Sequence, residues 1–107
     1  MIEPSTLAGC RQVVSWVANA TGSLNILWPV STYGQIRMIR STLATFLEDR
    51  GYGYKWRGQD WVEVVNGEAV HGVKFIVVRD DPKSDLQLLS RSYDPAYIIM
   101  VSLKENV

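Results

Sequence analysis

The sequence is poor in the residues that build catalytic and metal centres, with one cysteine and one histidine among 107 residues. A single cysteine, Cys10, excludes an internal disulfide and fits a reducing compartment. Its place in an apolar helical pattern predicts a buried, inert thiol rather than a nucleophile. One histidine and one cysteine cannot supply the usual ligand set of a zinc site. We therefore predict no catalytic residues, no metal and no cofactor, and we favour a chain that is not an enzyme.

Long apolar runs and an excess of charge of one sign are also missing. No stretch reaches the length of a membrane span or has the pattern of a signal peptide, so we expect a soluble, cytoplasmic protein with no membrane partner. Lysine and arginine together number 11, as do aspartate and glutamate, so the formal net charge is zero. Because nucleic-acid affinity depends mainly on neutralising phosphates, this balance does not favour a nucleic-acid partner, although a local basic patch stays possible.

What the chain does contain is a regular succession of helix-like and strand-like segments. A length of 107 residues with 47% hydrophobic content suits a single domain over 1–107, and no repeat or linker divides it. The apolar patterns predict helices at 5–20, 35–50 and 82–91, and strands at 24–28, 52–56, 61–65, 69–78 and 97–101. The order α-β-α-β-β-β-α-β predicts an α+β (mixed α/β) fold: one layered domain with a mixed parallel and antiparallel sheet of about five strands and three helices.

The stretch 24–54 organises this fold as a buried strand, a loop at 29–34, a helix and a second strand. Thr32 and Gln35 have the spacing of a capping box at the start of the helix. Gly51 supplies its left-handed end. The apolar face of the helix consists of Ile36, Ile39, Leu43, Phe46 and Leu47.

A tight hairpin is predicted between the third and fourth strands, where Asn66-Gly67 has the composition of a two-residue turn. This turn would place His71 opposite Val62, on an apolar face. A histidine in that position is more often a core residue with a satisfied hydrogen bond than a catalyst.

The loop before the central helix has a partial likeness to a phosphate-binding loop. Residues 29–36 read Pro-Val-Ser-Thr-Tyr-Gly-Gln-Ile and fall in register with G-x-x-x-x-G-K-S/T, and the apolar strand at 75–78 is followed by an acid. In these features the chain resembles the P-loop nucleotide-binding proteins over about a third of its length. However, Pro29 replaces the first glycine, Gln35 the lysine and Ile36 the hydroxyl residue.

These replacements remove the lysine charge that would contact the terminal phosphates and the hydroxyl that would contact the metal. We therefore do not expect nucleotide hydrolysis. Phosphate binding at the bare N-terminus of the helix is a separate possibility. An alternative function is therefore a phosphate or nucleotide binder that uses Ser31, Thr32, Gly34 and Gln35.

Aromatic and basic residues are concentrated in the segment 52–61 and along the predicted central helix. The chain has four tryptophans and five tyrosines. Such a mixture is typical of hot spots in protein interfaces, and it also suits stacked single-stranded bases. The candidate binding residues are Tyr33, Arg37, Arg40, Tyr54, Lys55, Trp56 and Arg57. We expect Trp56 to be presented to a partner and Trp61 to be largely buried.

The leading hypothesis is a small, non-enzymatic binding module that acts by protein–protein contact, with its oligomeric state open. Its profile is that of inhibitors of host proteins that phages and mobile elements encode. The alternatives are the phosphate or nucleotide binder described above and a single-stranded nucleic-acid binder.

Overall fold

The computed structural model describes residues 4–78 and 97–99, which form two helices and a five-stranded mixed sheet. The predicted α+β class and mixed sheet are confirmed within these residues. The predicted helix at 82–91 lies outside them. The elements are α1 (Pro4–Asn19), β1 (Asn25–Val30), α2 (Tyr33–Asp49), β2 (Gly53–Trp56), β3 (Trp61–Asn66), β4 (Ala69–Val77) and β5 (Tyr97–Ile98).

The strands lie in the order β2-β3-β4-β1-β5. Strand β1 is parallel to both of its neighbours, β4 and β5, whereas β2, β3 and β4 form an antiparallel meander. Two antiparallel steps restore the direction, so β2 runs the same way as β4 and β1. The carboxyl ends of these three strands therefore lie along one edge of the sheet, which is also where α2 begins.

The core lies between the two helices and one face of the sheet. Strand β1 contributes Ile26, Trp28 and Val30 to this face, and all residues of β1 after Asn25 are buried. Trp28 packs against Phe75 of the neighbouring strand, with ring centroids 5.2 Å apart. The helices cover the face with two apolar stripes, which are Cys10, Val13, Val14 and Val17 from α1 and Ile36, Ile39, Leu43 and Leu47 from α2.

Strand β1 is longer than the sequence pattern predicts, because proline more often starts a loop than continues a strand. Pro29 instead continues the strand opposite Ile76, and Val30 pairs with Val77. The fixed φ of proline is compatible with extended backbone. The Val30 carbonyl still accepts a hydrogen bond from the N–H of Val78, at 2.9 Å. The loop before α2 is therefore reduced to Ser31 and Thr32.

The β3–β4 hairpin forms as predicted, but its turn is one residue later. Asn66 pairs with Ala69, so Gly67 and Glu68 form the turn, and Gly67 has a φ of 66°. The predicted pairing of His71 with Val62 is wrong, because moving a turn by one residue moves the cross-strand partner by two. His71 lies opposite Val64 instead.

A shift of two residues keeps a side chain on the same face of a strand, so His71 still points into the core. It is fully buried, and its Nδ1 accepts a hydrogen bond from the N–H of Leu24 at 3.0 Å. This contact joins the start of β1 to β4. The prediction of a core histidine is confirmed; its Nδ1 is paired, whereas its Nε2 has no hydrogen-bond partner among the described residues.

Of the two helices in the described part of the chain, neither has the length and apolar content needed to cross a membrane.

Candidate binding site

The loop that joins β1 to α2 is closed by its own side chains. Thr32 has extended backbone, and its Oγ1 accepts a hydrogen bond from the N–H of Gln35 at 3.2 Å. The Gln35 Oε1 reaches back and accepts from the N–H groups of Ser31, at 2.6 Å, and Thr32, at 3.4 Å. The predicted capping box is therefore complete. An anion at this helix N-terminus would have to compete with the Gln35 side chain for the same N–H groups.

Beside this loop lies an open cleft of about 880 Å³. It is found where the first two turns of α2 face the connection between β2 and β3, along the edge that carries the carboxyl ends of β1, β4 and β2. In open α/β sheets this edge is the usual place for a ligand. The cleft is lined by Tyr33, Ile36, Arg37, Arg40 and Gln59.

Arg40 is held in one position in this cleft by two contacts. Its guanidinium carbon lies 4.2 Å from the centroid of the Trp56 ring, and its Nη1 donates to the carbonyl of Gln59 at 3.3 Å. Trp56 in turn stacks on Phe75 with the two rings 19° from parallel and their centroids 6.1 Å apart. A cation over an aromatic face gains about 0.5–2 kcal/mol, depending on its exposure. The position of Arg40 is therefore set by contacts within the chain.

Tyr33 and Arg37 give the cleft its accessible chemistry. Tyr33 is 66% exposed, which is unusual for so large a ring. Arg37 lies one turn further along α2 and is also exposed. Within residues 4–78 and 97–99, no hydrogen bond or ion pair engages its guanidinium. A free cation, a preset cation and a free aromatic ring thus meet in one place, which suits an anionic or aromatic group on a ligand.

The structure separates the remaining candidate residues from this cleft. Lys55 and Arg57 lie on the opposite face of the sheet, because strand residues alternate between faces. Arg57 is engaged by Glu63, with its Nε at 2.8 Å and its Nη2 at 2.7 Å from the Glu63 Oε1. The candidate surface predicted from the sequence is therefore not continuous.

Tyr54 lies near the other end of α2, where its hydroxyl donates to the carboxylate of Glu48. This hydrogen bond, with smaller contributions from desolvation and the nearby negative charge, raises the pKa of the Tyr54 hydroxyl. The contact joins β2 to the last turns of α2. Tyr54 consequently connects the strand to the helix and is not part of the cleft.

The two tryptophans are reversed relative to expectation. Trp56 is half-buried under Arg40, whereas Trp61 is 41% exposed on the open face of the sheet. Trp61 lies over Gly72, where an added Cβ would come within 3.2 Å of the Trp61 Nε1. The assignment of Trp56 as presented and Trp61 as largely buried is therefore wrong. Strand alternation decides both faces: Trp56 pairs with the buried Val62 and shares its face, whereas Trp61 precedes Val62 in β3 and lies on the opposite face.

Sequence reasoning missed two residues of the cleft. The sequence pattern predicts only a core position for Ile36, which is 3% exposed and also lines the cleft. For Gln59 the sequence predicts only a place in a turn. The sequence signal for Gln59 is its place in the turn 57–60, directly after the aromatic strand β2. Because β2 ends at the same edge of the sheet as β1, this turn lies close to the start of α2.

Cys10 has no role in the site. It is fully buried in α1, and burial raises the pKa of its thiol to about 12. A thiol with this pKa stays protonated at neutral pH and is a poor nucleophile. The prediction of a buried thiol is confirmed.

Comparison with known proteins gives a likeness of fold only. No family model matches the sequence, and no curated protein matches it. Among solved structures, the large terminase from a thermophilic bacteriophage, in complex with ADP, is similar with a TM-score of 0.59 and 19% sequence identity. The match covers 71% of this chain and 19% of the terminase chain.

Proposed function

We propose that this chain is a non-enzymatic binding module that contacts a protein partner through the cleft between α2 and the β2–β3 connection. The observation that carries the proposal is the meeting of exposed Tyr33 and Arg37 with Arg40, which Trp56 already holds in place. Tyrosine, tryptophan and arginine are the residues most enriched in interface hot spots. The partner would supply acidic and aromatic side chains to this cleft.

Two further observations support the proposal. A rigid arginine loses less conformational freedom on binding than a mobile one, which raises the affinity that a small surface can reach. The zero net charge gives no general attraction to a phosphate backbone. We extend the proposal to inhibition of a host protein of the kind that phages and mobile elements encode, since a module without chemistry of its own acts by covering a partner.

The proposal is tested by affinity capture from a nuclease-treated cell lysate, with Arg37→Glu compared with Arg11→Glu. Both arginines are exposed on helices, and both variants change the net charge equally. We expect Arg37→Glu to lose the captured protein and Arg11→Glu to retain it, with both variants melting as the wild type does. Equal loss in both variants would mean charge attraction without a site. Loss of all capture after nuclease treatment would favour the single-stranded nucleic-acid alternative.

A second candidate is weak binding of a phosphate-bearing ligand, such as a nucleotide. It is favoured by the position of the cleft, at the start of α2 and beside the carboxyl end of β1, and by two arginines that can neutralise an anion. The terminase of similar fold was solved with ADP. Because Gln35 occupies the N–H groups of Ser31 and Thr32, we expect calorimetry with ADP to show an affinity no tighter than about millimolar, equivalent to about 4 kcal/mol.

A further inference from the structure

Strand β2 has an outer side that no other described residue pairs with. It stands at the end of the sheet order and pairs only with β3. The N–H of Arg57 donates to the carbonyl of Trp61 at 2.9 Å, so these two residues form a hydrogen-bonded pair. In an antiparallel ladder such pairs alternate, and Lys55 with Glu63 is the next one. The N–H and C=O groups of Tyr54 and Trp56 therefore point away from the sheet.

The charge beside this edge limits what can pair with it. Lys55 is exposed on the open face, midway between the two outward-facing residues, and no ion pair engages it in the described part of the chain. If a second copy added antiparallel through the same four groups, Lys55 would face its own equivalent. Like charges directly opposite each other destabilise a strand pair, and an edge lysine is a common protection against self-association.

We propose that β2 is a docking edge on which an extended, acidic segment of the protein partner adds as a further strand. The inference rests on the proposed function and specifies the mode of binding: main-chain hydrogen bonds come from Tyr54 and Trp56, and an acid of the partner faces Lys55. Strand addition of this type takes its affinity from the backbone and its specificity from alternate side chains.

The edge is continuous with the cleft. Trp56 is the last residue of β2, and its ring carries the guanidinium of Arg40, which lines the cleft. A segment that follows β2 past Trp56 therefore reaches Arg40 and then Arg37. Lys55 lies on the open face of this path and Arg40 and Arg37 lie on the helix face, so an acidic segment meets a cation on each face. The nearby carboxylates of Glu48 and Glu63 are engaged by Tyr54 and Arg57.

The experiment uses the full chain labelled with ¹⁵N and a blocked peptide of alternating Glu and Val, about ten residues long so that it extends beyond β2. A matched peptide of Lys and Val is the control. We expect the acidic peptide to shift the amide signals of Tyr54 and Trp56 and to slow their hydrogen exchange. The amides of Lys55 and Arg57, which already face β3, should change little in exchange.

Two variants test whether the charge of Lys55 contributes to peptide binding. Lys55→Gln is expected to raise the dissociation constant of the acidic peptide by about threefold to fivefold. Lys74→Gln is the matched control, because Lys74 lies on the same face but on an inner strand, where it pairs with Asp60 at 3.2 Å. Equal weakening in both variants would overturn the inference.

The outcomes separate this inference from the proposed function. If Tyr54 and Trp56 stay unprotected at saturation while Arg37→Glu still abolishes capture, the edge is not used and the cleft alone carries the function. If the two amides become protected on concentration of the protein alone, with a dimer in sedimentation, the edge binds a second copy and the inference is wrong. Protection by the acidic peptide alone supports it, even if the cleft variant retains capture.

Discussion

The guanidinium carbon of Arg40 lies 4.2 Å from the centroid of the Trp56 ring, and the same ring stacks on Phe75. One tryptophan therefore connects the core of the sheet to a cation that lines the cleft. We expect a change at Trp56 to affect both stability and the proposed binding in the cleft, whereas a change at Arg37 should affect only the surface of the cleft.

Replacing Trp56 or Trp61 by alanine should give unequal losses of stability. Trp56→Ala removes the stack on Phe75 and the support of Arg40, so we expect it to lower the free energy of unfolding by about 2–4 kcal/mol. Trp61→Ala removes a ring that is 41% exposed, and we expect a loss of about 1 kcal/mol or less. Urea denaturation of both variants measures the difference. Equal losses would contradict the separation of the two faces.

Gly9→Ala should destabilise the protein although alanine is the better helix former. A Cβ at this position of α1 would lie 2.2 Å from the Cζ2 of Trp28, in the centre of the core. We expect a loss of about 1–3 kcal/mol from overpacking. Gly34→Ala is the control, since its Cβ would find only the Thr32 Oγ1 at 3.7 Å. This control should melt at or above the wild-type temperature.

The stability of the fold should fall in mildly acidic solution because of His71. Burial lowers the pKa of this imidazole in the folded state, and its Nδ1 must be unprotonated to accept from Leu24. The unfolded chain binds the proton more readily, so the contribution is complete above a pH of about 6.5 and is lost as the pH falls below that value. The expected slope is at most about 1.4 kcal/mol per pH unit.

The control for this effect is His71→Gln, whose amide oxygen can accept from Leu24 but does not titrate. Denaturation midpoints of both proteins are compared between about pH 5 and pH 7, above the range of ordinary carboxylates. We expect the variant to lose the slope that the wild type shows in this interval. The same slope in both proteins would assign the pH dependence to other groups.

Gln35→Ala should separate capping from anion binding. Without the side-chain oxygen, the N–H groups of Ser31 and Thr32 are released, and the helix loses about 0.5–1 kcal/mol of capping. If the phosphate alternative is correct, the affinity for ADP in calorimetry should rise although the protein is less stable. An affinity that stays undetectable with the N–H groups released would contradict the second candidate function.

Local signals in the sequence were sufficient for much of the fold. The capping box at Thr32 and Gln35, the glycine end at Gly51 and the hairpin near Gly67 all depend on residues a few positions apart, and all three are present. The extent of β1 was not predictable in this way. Pro29 has no local advantage in a strand, and its place there depends on the pairing with β4, which comes much later in the chain.

The candidate site was predicted only in part for the same reason. Tyr33, Arg37 and Arg40 share a helix, so their proximity follows from spacing alone. The contact between Trp56 and Arg40 depends instead on the position of β2 in the sheet, which residue spacing does not give. The separation of Lys55 and Arg57 from the cleft follows from strand alternation, which places neighbouring residues of one aromatic and basic segment on two different surfaces.

The order of the strands has a consequence for the folding reaction. Helix α2 connects β1 to β2, which are not neighbours in the sheet. The two positions between them are occupied by β3 and β4, which come later in the chain. The meander closes over short distances, but Leu24 and His71, which join β1 to β4, are 47 positions apart. Because distant contacts are slow to form, we expect the meander to form early and β1 to dock against it late. Substitutions at Gly67 should then slow refolding in stopped-flow experiments, whereas those at Ile26 should mainly speed unfolding.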